Sequence, residues 1–355
     1  MVLYCELYKG PACGLTNQLI SLTNTIIKAS LNNDKIVCIK DFKNCINNNN
    51  KSNISDIINL EKTNDFLKKY NIKLIDFNKN FELLNVKYGN NSKYIDLTDY
   101  FQNLSNKNNN LIISKGTILN DIKGDPCFGV SKTLTIKYKL NNNIITDTFK
   151  EDIGILTKDI IINVHKFDFL GPRFNYYPIN ICNDIITNIY FKNEFIENSK
   201  SIIKNLYLSN LKINVIHLRL ENDALKHWSR MNKMSINKFK NILELKYIEI
   251  VKKFISTTDL NILLTSSIDN ASNFINYMNT NNYKYIFSKK FYNEREKNAI
   301  VDLLLSNYCN NIFVNNFNFK NLNGSTFSYL IGTNLKNVKK ISIDLDNINK
   351  DYLIS

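Results

Sequence analysis

The chain has 355 residues, more than twice the length of a typical single domain, so two domains are expected. Its hydrophobic fraction of 44% is normal for a globular protein and excludes a disordered chain. The formal net charge of +14 favours anionic partners, but the lysines are scattered and form no basic run with interleaved aromatic residues, so we predict no nucleic-acid partner.

The first half of the sequence predicts strands that alternate with helices. Strands are predicted at residues 2–7, 35–42, 72–77 and 160–165, and helices at 17–29, 54–70 and, between the two halves, 180–207. Asn-rich segments at 44–53, 102–110 and 140–143 are predicted to be surface loops. The stretch from about residue 44 to 160 carries no recognisable motif.

The second half shows the same alternation more clearly. Strands are predicted at 211–220, 261–267, 283–288 and 311–314, and helices at 235–256, 269–280, 295–309 and from about Gly324 onward. Short apolar strands that alternate with helices indicate a parallel, doubly wound sheet. We therefore predict an α/β fold with two Rossmann-like domains that face a cleft, divided after residue 185.

In such folds, ligands bind beyond the carboxyl ends of the parallel strands. The first polar cluster at such a position is the run GLTNQ, which contains Gly14, Asn17 and Gln18 and follows the first strand. A glycine loop that opens a helix presents free backbone N–H groups to a ligand. The alternative interpretation is an ordinary strand-to-helix turn in which Thr16 or Asn17 caps the helix.

The second cluster is the run HLRLEND, which contains His217, Arg219, Glu221 and Asp223 at the end of a predicted strand. His217 and Arg219 share one face of that strand because side chains alternate. The planar guanidinium of Arg219 suits a diphosphate, since it binds phosphate oxygens bidentately and stays charged at any working pH. The alternative is an ion pair between Arg219 and Asp223 at the edge of the sheet.

The third cluster is the run NGSTFS at residues 323–328, just after the last predicted strand of the second half. Ser325 and Thr326 lie where a helix is predicted to begin. Hydroxyl groups, backbone N–H groups and the positive end of the helix dipole would meet there, which favours an anion. A plain Ser/Thr cap of the helix is the alternative.

Taken in this order, the three clusters resemble the motifs of the fucosyltransferase superfamily, above all the protein O-fucosyltransferase-like enzymes. The first run is similar to that family's N-terminal glycine and Asn-Gln motif, and the second fits its His-x-Arg-x-x-x-Asp motif. Residues from Arg295 through Asp302 to Ser328 resemble its third block, a helix, a strand and a Ser-Thr-Phe-Ser turn. The resemblance implies a GT-B type fold, with an acceptor-side domain over residues 1–185 and a nucleotide-sugar donor domain over residues 186–355.

The resemblance also implies a role for each matching residue. Arg219 would contact the donor diphosphate and the glycosidic oxygen, and Asn17 would line the acceptor side of the cleft. The general base for the acceptor hydroxyl stays open between Glu6 and Glu221, so that Arg219, Asn17 and Glu221 form the expected catalytic set. The expected donor-binding residues are His217, Asp223, Asp302, Ser325, Thr326, Phe327, Gly14 and Gln18.

The expected activity is therefore that of an inverting, metal-independent glycosyltransferase without a cofactor. It would move a deoxyhexose, first of all fucose, from GDP-fucose or another nucleotide sugar to a hydroxyl of a glycan or protein. Without a metal ion, a preorganised arginine and a helix N-terminus must stabilise the charge on the leaving diphosphate. Two alternatives stay open: rhamnosyl or other deoxyhexosyl transfer on the same scaffold, and a non-catalytic protein that binds glycans or nucleotides.

Two further features of the second half carry less weight. Asp344-Leu345-Asp346 has the Asp-x-Asp spacing that binds manganese in the other large glycosyltransferase fold, but it lies beyond all three clusters. We interpret it as the surface end of a strand, because short motifs match by chance. Trp228 follows the second cluster, and we interpret it as an aromatic side chain that packs a loop rather than one that lines the acceptor side.

Cysteine usage and the N-terminus bear on the compartment. The seven cysteines are widely spaced without a Cys-x-x-Cys pair, and the three histidines form no His-x-x-x-His pair, which predicts neither a disulfide framework nor a zinc site. The N-terminus lacks the basic start and apolar centre of a signal peptide, and no stretch of about twenty apolar residues could span a bilayer. We therefore predict a cytoplasmic protein.

Overall fold

The computed structural model describes residues 2–7, 14–43, 51–77, 81–90, 93–105, 111–140, 143–162, 170–172, 176–204, 206, 211–265 and 268–355. The chain divides into two compact units, Met1–Asp76 with Asp168–Ser355, and Phe77–Phe167. The predicted loops at 44–53, 102–110 and 140–143 lie partly outside the described residues, as do the ends of the strands predicted at 160–165 and 261–267.

The N-terminal segment of the first unit builds a small parallel sheet. Its elements are, in chain order, β1 (Val2–Cys5), α1 (Leu15–Leu31), β2 (Ile36–Ile39), β3 (Phe42–Lys43), β4 (Lys51–Ser52), α2 (Ile54–Ile57), α3 (Leu60–Leu67), a 3-10 turn (Lys68–Tyr70) and β5 (Lys73–Asp76). Strands β1, β2 and β5 pair in parallel in that order. Helix α1 is buried on most of its surface, which is expected of a helix that is covered by other elements on several sides.

The second unit is antiparallel. Its elements are β6 (Phe81–Gly89), β7 (Tyr94–Asp96), α4 (Thr98–Ser105), β8 (Leu111–Ile113), α5 (Asn120–Lys123), β9 (Thr133–Leu140), β10 (Asn143–Asp152), β11 (Ile155–Leu156) and β12 (Ile160–Ile162). The main sheet has the order β11-β10-β9-β6-β7, and β12 pairs with β8. In β9 the buried Leu134, Ile136 and Tyr138 alternate with polar residues, the pattern of a sheet with one face on a core.

The C-terminal segment returns to the first unit and carries the larger parallel sheet. Its elements are α6 (Ile179–Ile186), α7 (Asn193–Ile203), β13 (Ile213–His217), α8 (Asn222–Met231), α9 (Ile236–Phe254), β14 (Leu260–Leu264), a 3-10 turn (Ile268–Ala271), α10 (Ser272–Thr280), β15 (Lys284–Phe287), α11 (Arg295–Ser306), β16 (Ile312–Asn315), β17 (Phe317–Asn318), β18 (Asn323–Gly324), α12 (Thr326–Asn334), β19 (Lys339–Ser342) and β20 (Leu353–Ile354).

This sheet has the strand order β15-β14-β13-β16-β19-β20, with every pair parallel except the last. Alternate residues of β13 pack into different cores. Ile213 and Val215 contribute to the core that includes side chains of α7, α11 and α12. Ile216 contributes to the core that includes side chains of α9 and α10. The sheet is therefore doubly wound, and the chain reverses its winding direction between β13 and β16.

The mixed α/β class is confirmed, and several details differ from expectation. The helix predicted at 180–207 is two helices, α6 and α7, because the segment between them pairs with the end of α2 instead: Phe191 forms a β-bridge with Ile58, and the N–H of Lys192 donates to Ile57. Neither α8 nor the antiparallel sheet of the second unit was predicted from the sequence. The boundary predicted after residue 185 falls inside α6, and the arrangement of two facing domains stays a prediction.

Two general expectations concern the cysteines and the membrane. Cys5, Cys38, Cys127, Cys182 and Cys309 are buried, and no disulfide joins any of them, while Cys13 and Cys45 lie outside the described residues. Burial raises the pKa of the Cys38 thiol to about 12, with a contribution from Asp76. Within the described part of the chain, no helix combines the length and the apolar character that crossing a membrane requires.

Candidate functional site

The candidate site lies at the carboxyl ends of β13 and β16, where the winding of the large sheet reverses. The two strands are paired in parallel, with Ile216 opposite Val314, so His217 and Asn315 end neighbouring strands. Both strands are buried along their length, and the polar residues that follow them are brought to one edge of the sheet. This is the position at which doubly wound sheets bind their ligands.

A buried hydrogen bond joins the second predicted cluster to the third. The Nδ1 atom of His217 lies 2.7 Å from the Oγ atom of Ser328, in the first turn of α12. The same hydroxyl oxygen accepts the N–H of Asn316 at 3.1 Å, and the ring of Phe327 meets the His217 ring edge-on, with centroids 5.3 Å apart. Burial lowers the pKa of His217 to about 4, so its imidazole is neutral at neutral pH and shapes the site rather than charging it.

Tyr247, on α9, fixes the backbone of the residues that follow β13. Its hydroxyl oxygen accepts the N–H of Arg219 at 3.0 Å and lies 2.9 Å from both the carbonyl oxygen of His217 and the Oδ1 atom of Asn316. The Tyr247 side chain is fully buried, and burial raises the pKa of its phenol well above the usual range, so the hydroxyl stays protonated. The hydroxyl proton is donated to one of the two oxygens at a time.

Asn316 connects the strand ends to α12. Its Nδ2 group donates to the carbonyl oxygen of His217 at 2.7 Å, and its own carbonyl oxygen accepts the N–H of Ser325 at 2.7 Å. Together with the contacts to Ser328 and Tyr247, these bonds engage both the backbone and the side-chain groups of Asn316. Neither Asn316 nor Tyr247 was predicted as a site residue from the sequence, although the position of Asn316, directly after a buried strand, is a usable signal.

The guanidinium of Arg219 lies among carboxylates. Its Nη1 atom is 2.9 Å from an oxygen of Glu221, and its Nη2 atom is 4.0 Å from an oxygen of Asp223, so the ion pair considered from the sequence is present with Glu221 as the closer partner. The Nε atom is buried and has no hydrogen-bond partner among the described residues. The Arg219 side chain is 21% exposed, which leaves part of it accessible to a ligand.

Asp302 adds a further carboxyl group near this pair. It lies on α11, is half-buried, and has its pKa raised to about 7, first by desolvation and further by the charge of Glu221, against a hydrogen bond from Ser288 that lowers it. Arg295, which begins the same helix, places its Nη2 atom 3.9 Å from Asp223. Three of the predicted residues, Glu221, Asp223 and Asp302, therefore belong to one charged neighbourhood around Arg219.

Helix α12 presents an open N-terminus. The turn before it requires glycine at Gly324, where φ is +111° and a Cβ would collide with the carbonyl oxygen of Asn316. Ser325 is the N-cap residue, and its side chain makes no capping hydrogen bond. The N–H groups of the first turn, at Thr326 and Phe327, lack intrahelical acceptors and point along the positive end of the helix dipole, as an anion site requires.

The first predicted cluster begins α1, which packs against α12 within the same unit. Gly14 is the N-cap residue, and a Cβ at this position would meet no atom within 4 Å. Gln18 is fully buried, and its amide forms two hydrogen bonds of 2.8 Å with the backbone of Lys43, so it anchors β3 to α1. Asn17 is half-buried. The roles in acceptor and donor binding expected of these residues stay predictions.

The two candidate general bases have different surroundings. Glu221 forms the ion pair with Arg219, and its side chain is 13% exposed. Glu6 follows β1, with an oxygen 3.3 Å from the Nζ atom of Lys43 and 3.6 Å from that of Lys40. Both carboxylates are partly buried beside cations, and the choice between them stays open.

The two features given less weight from the sequence have structural surroundings of their own. Asp344 accepts the N–H groups of Asp346 and Asn347 at 3.0 and 3.1 Å, and thus closes the turn after β19. Asp346 accepts the side-chain amide of Asn323 at 2.5 Å. Trp228 lies on α8, not on a loop, and packs against the core beneath α9 and α10.

No family model matches the sequence, and no curated protein matches it. Among solved structures, the chain is similar to the crystal structure of POFUT1 in complex with GDP, with 10% identity, a TM-score of 0.46 and coverage of 99% of this chain and 95% of that chain. It is also similar to POFUT1 in complex with GDP-fucose, with 9% identity, a TM-score of 0.45 and the same coverage. At this level the similarity concerns the path of the chain and transfers no residue role.

Proposed function

We propose that the protein is a nucleotide-sugar-dependent glycosyltransferase whose donor diphosphate binds between Arg219 and the N-terminus of α12. The observation that carries this proposal is the hydrogen bond between His217 and Ser328, which holds the strand end that bears Arg219 against the first turn of α12. The cation of Arg219 and the N-terminus of α12 would thereby lie side by side, a combination suited to a diphosphate.

The chemistry follows from the charge that develops during transfer. An acceptor hydroxyl attacks the anomeric carbon while the bond from that carbon to the diphosphate oxygen breaks, and the leaving oxygen gains negative charge. Arg219 and the N–H groups of Thr326 and Phe327 would stabilise that charge, and the N–H groups would do so with little reorganisation because α12 holds them in place. Attack from the face opposite the leaving group inverts the anomeric configuration, and no metal ion is needed in this scheme.

The ion pair between Arg219 and Glu221 has to break before Arg219 can bind the donor diphosphate. A diphosphate would compete with Glu221 for the guanidinium, and the released carboxylate would then be available as the base for the acceptor hydroxyl. Glu6 remains the other candidate for that role. Asp302, whose pKa lies near 7, would be neutral in part of the population at neutral pH, which reduces the repulsion of an incoming diphosphate.

The donor is proposed to be a deoxyhexose nucleotide, with GDP-fucose first, from the motif resemblance, and the acceptor a glycan or protein hydroxyl. We would incubate the protein with GDP-fucose, GDP-mannose, dTDP-rhamnose and UDP-N-acetylglucosamine, with and without EDTA, and measure release of the nucleoside diphosphate and transfer to a glycan library. The anomeric configuration of the product, measured by NMR, tests inversion.

The outcomes separate the alternatives. Turnover of GDP-fucose that is unaffected by EDTA and gives an inverted product supports the proposal, and preference for dTDP-rhamnose would change only the sugar. Loss of turnover in EDTA would contradict metal independence and direct attention to Asp344 and Asp346. Binding of a nucleotide or glycan without turnover of any donor would establish the non-catalytic alternative instead.

A further inference from the structure

A cavity of about 690 Å³ lies beside the second half of α12, away from the candidate donor site. Its walls come from α6, from the turn after β17, and from the end of α12 with the start of β19. The volume falls in the range of small-molecule sites. Asn334, which ends α12, is eight residues beyond Thr326, or roughly 12 Å along the helix, and Lys336 follows two residues later.

The polar side chains that line the cavity differ in how far their hydrogen-bonding groups are already used within the protein. Asp184, the carboxylate in the wall, accepts the Nζ group of Lys69 and the hydroxyl of Tyr70, each at 2.5 Å, and these bonds lower its pKa. The hydroxyls of Thr187 and Thr333 donate to carbonyl oxygens of their own helices, at 2.7 and 2.9 Å. The carboxylate of Asp184 is therefore already paired with a cation and a hydroxyl, and both threonine hydroxyls already donate their protons within the protein.

Three lysines in the wall are less engaged, although the charge of Lys336 contributes to the lowered pKa of Asp184. Lys320, Lys336 and Lys340 line the cavity, and within the described part of the chain no carboxylate lies within ion-pair distance of any of their ammonium groups. An excess of three positive charges around one concave surface creates a local field that concentrates anions. The groups that remain available for a ligand are thus mainly cationic donors, which favours an anion over a neutral sugar.

Of the three lysines, Lys340 has the surroundings that most favour an anionic ligand. It is half-buried in β19, and desolvation lowers its pKa because water no longer supports the charged form fully. Its Nζ atom lies 5.1 Å from the centre of the Phe319 ring. A partly desolvated ammonium beside an aromatic ring gains more from an anion than an exposed lysine does.

Phe319 also gives the cavity a flat apolar wall. The ring packs on Gly332, where a Cβ would collide with it, and it lies next to Phe317 and Tyr329, with centroids 5.0 and 6.4 Å away. The hydroxyl of Tyr329 is held by Asn183 on α6. A rigid aromatic surface beside cationic groups matches a ligand that combines a ring with phosphate.

We propose that this cavity is a second binding site, for a phosphorylated small molecule whose oxyanion contacts Lys336 and Lys340 and whose ring lies on Phe319. The proposal does not depend on the glycosyltransferase function, since none of its residues belongs to the donor site. The two proposals can be distinguished by experiment, because binding of a phosphorylated ligand in this cavity should persist in a protein that lacks Arg219.

The test is calorimetric titration of the Arg219→Ala protein with inorganic pyrophosphate, and in a second arm with AMP, which adds a ring. Saturable binding of pyrophosphate and of AMP is expected, and inorganic phosphate, titrated in a third arm, should bind more weakly than AMP. Lys340→Met should weaken the binding of pyrophosphate about ten- to hundredfold, the loss typical of one charge-assisted hydrogen bond. The matched control is Lys339→Met, one residue away on the opposite face of β19 with its Nζ atom 4.4 Å from the Phe254 ring, and it should leave affinity unchanged.

A second variant guards against misfolding. Lys336→Ala changes an exposed side chain and should weaken pyrophosphate binding while the unfolding midpoint stays that of the parent. Equal affinity in the parent, Lys336→Ala and Lys340→Met proteins would overturn the proposal, as would the absence of saturable binding. A fall in stability of the lysine variants without any binding by the parent would also overturn it, because the lysines would then serve only the C-terminus of α12.

Discussion

The Nδ1 atom of His217 and the Oγ atom of Ser328 lie 2.7 Å apart, although the two residues are separated by 111 positions in the chain. Their contact makes one site of two segments that enter it from different strands of the large sheet. Arg219 lies two residues after His217, and the open N-terminus of α12 lies directly before Ser328. The contact is buried, so its loss would not be compensated by water.

Replacement of Arg219 by alanine should reduce transfer by about two to three orders of magnitude, because a preorganised donor to the leaving diphosphate is removed. Arg219→Lys should recover only part of the rate, since an ammonium lacks the planar fork. The measurement is kcat/KM for the best donor found in the panel. Arg230→Ala, on an exposed position of α8, is the control and should keep the parental rate. Near-normal transfer by Arg219→Ala would exclude the proposed mechanism.

Ser328→Ala should cost about 1–3 kcal/mol of unfolding free energy, because it leaves the imidazole of His217 and the N–H of Asn316 buried without their shared partner. Urea denaturation measures this loss. Ser325→Ala is the comparison: its side chain makes no capping bond, so stability should change little while donor affinity falls. A Ser328→Ala protein of parental stability would show that the hydroxyl does not hold the two segments together.

Tyr247→Phe should lower both stability and turnover, because the N–H of Arg219 loses its acceptor 3.0 Å away while the ring remains. We expect a loss of about 1–3 kcal/mol in unfolding free energy. Donor KM should change less than kcat if the hydroxyl positions Arg219 for the leaving group rather than for ground-state binding. Tyr285→Phe removes a partly exposed hydroxyl bonded to Asn279 and should leave both quantities near the parental values. A parental kcat in Tyr247→Phe would contradict a positioning role.

Gln18 and Asn17 are adjacent in the sequence and should differ in effect. Gln18→Ala removes two buried hydrogen bonds to the Lys43 backbone and should cost about 1–3 kcal/mol of stability. Asn17→Ala should keep most of the stability and reduce transfer at least about tenfold, as expected of a residue on the acceptor side. Chemical denaturation and the acceptor KM measure the two effects. If Asn17→Ala transfers normally, Asn17 has no part in acceptor binding.

The large parallel sheet could be predicted because its strands are short apolar runs that alternate with helices. The run that ends in His217 was predicted at 211–220 and the structure pairs Ile213–His217, so the strand was found and only its ends were misplaced. Strand ends are set by hydrogen-bond partners on other strands, which a single sequence does not contain. Arg219 was predicted inside the end of that strand, on one face with His217, whereas β13 ends at His217 and Arg219 lies beyond it.

The features that could not be predicted from the sequence depend on contacts between residues that are distant in the chain. The break between α6 and α7 arises because Phe191 pairs with Ile58. A local sequence pattern does not predict a partner more than a hundred positions away. The antiparallel sheet of the second unit lies in a region where we predicted surface loops at the Asn-rich segments 102–110 and 140–143 and left most other residues unassigned. Tyr247 appeared as one more residue on a helix face, and only the fold shows that its hydroxyl reaches the backbone of Arg219.

Asp302 should make stability depend on pH in a direction opposite to that of most carboxylates. Its pKa is raised from 3.8 to about 7, so between these values the folded protein holds a proton that the unfolded chain has released. Stability therefore falls as pH rises through this window, and the cost persists above pH 7. Asp302→Asn does not titrate, so its stability relative to the parent should rise from pH 4 to pH 8.

The difference in stability between Asp302→Asn and the parent isolates the effect of Asp302, because His217 and every other titrating group are common to both proteins. His217 acts in the opposite sense: its pKa is lowered to about 4, so its contribution is present above pH 6.5 and is lost as pH falls toward 4. Urea denaturation at pH 5 and pH 8 measures the difference, with Asp269→Asn, on an exposed turn, as the control. A difference between Asp302→Asn and the parent that is the same at both pH values would mean that Asp302 is ionised throughout, and that the charge near Arg219 does not change in this range.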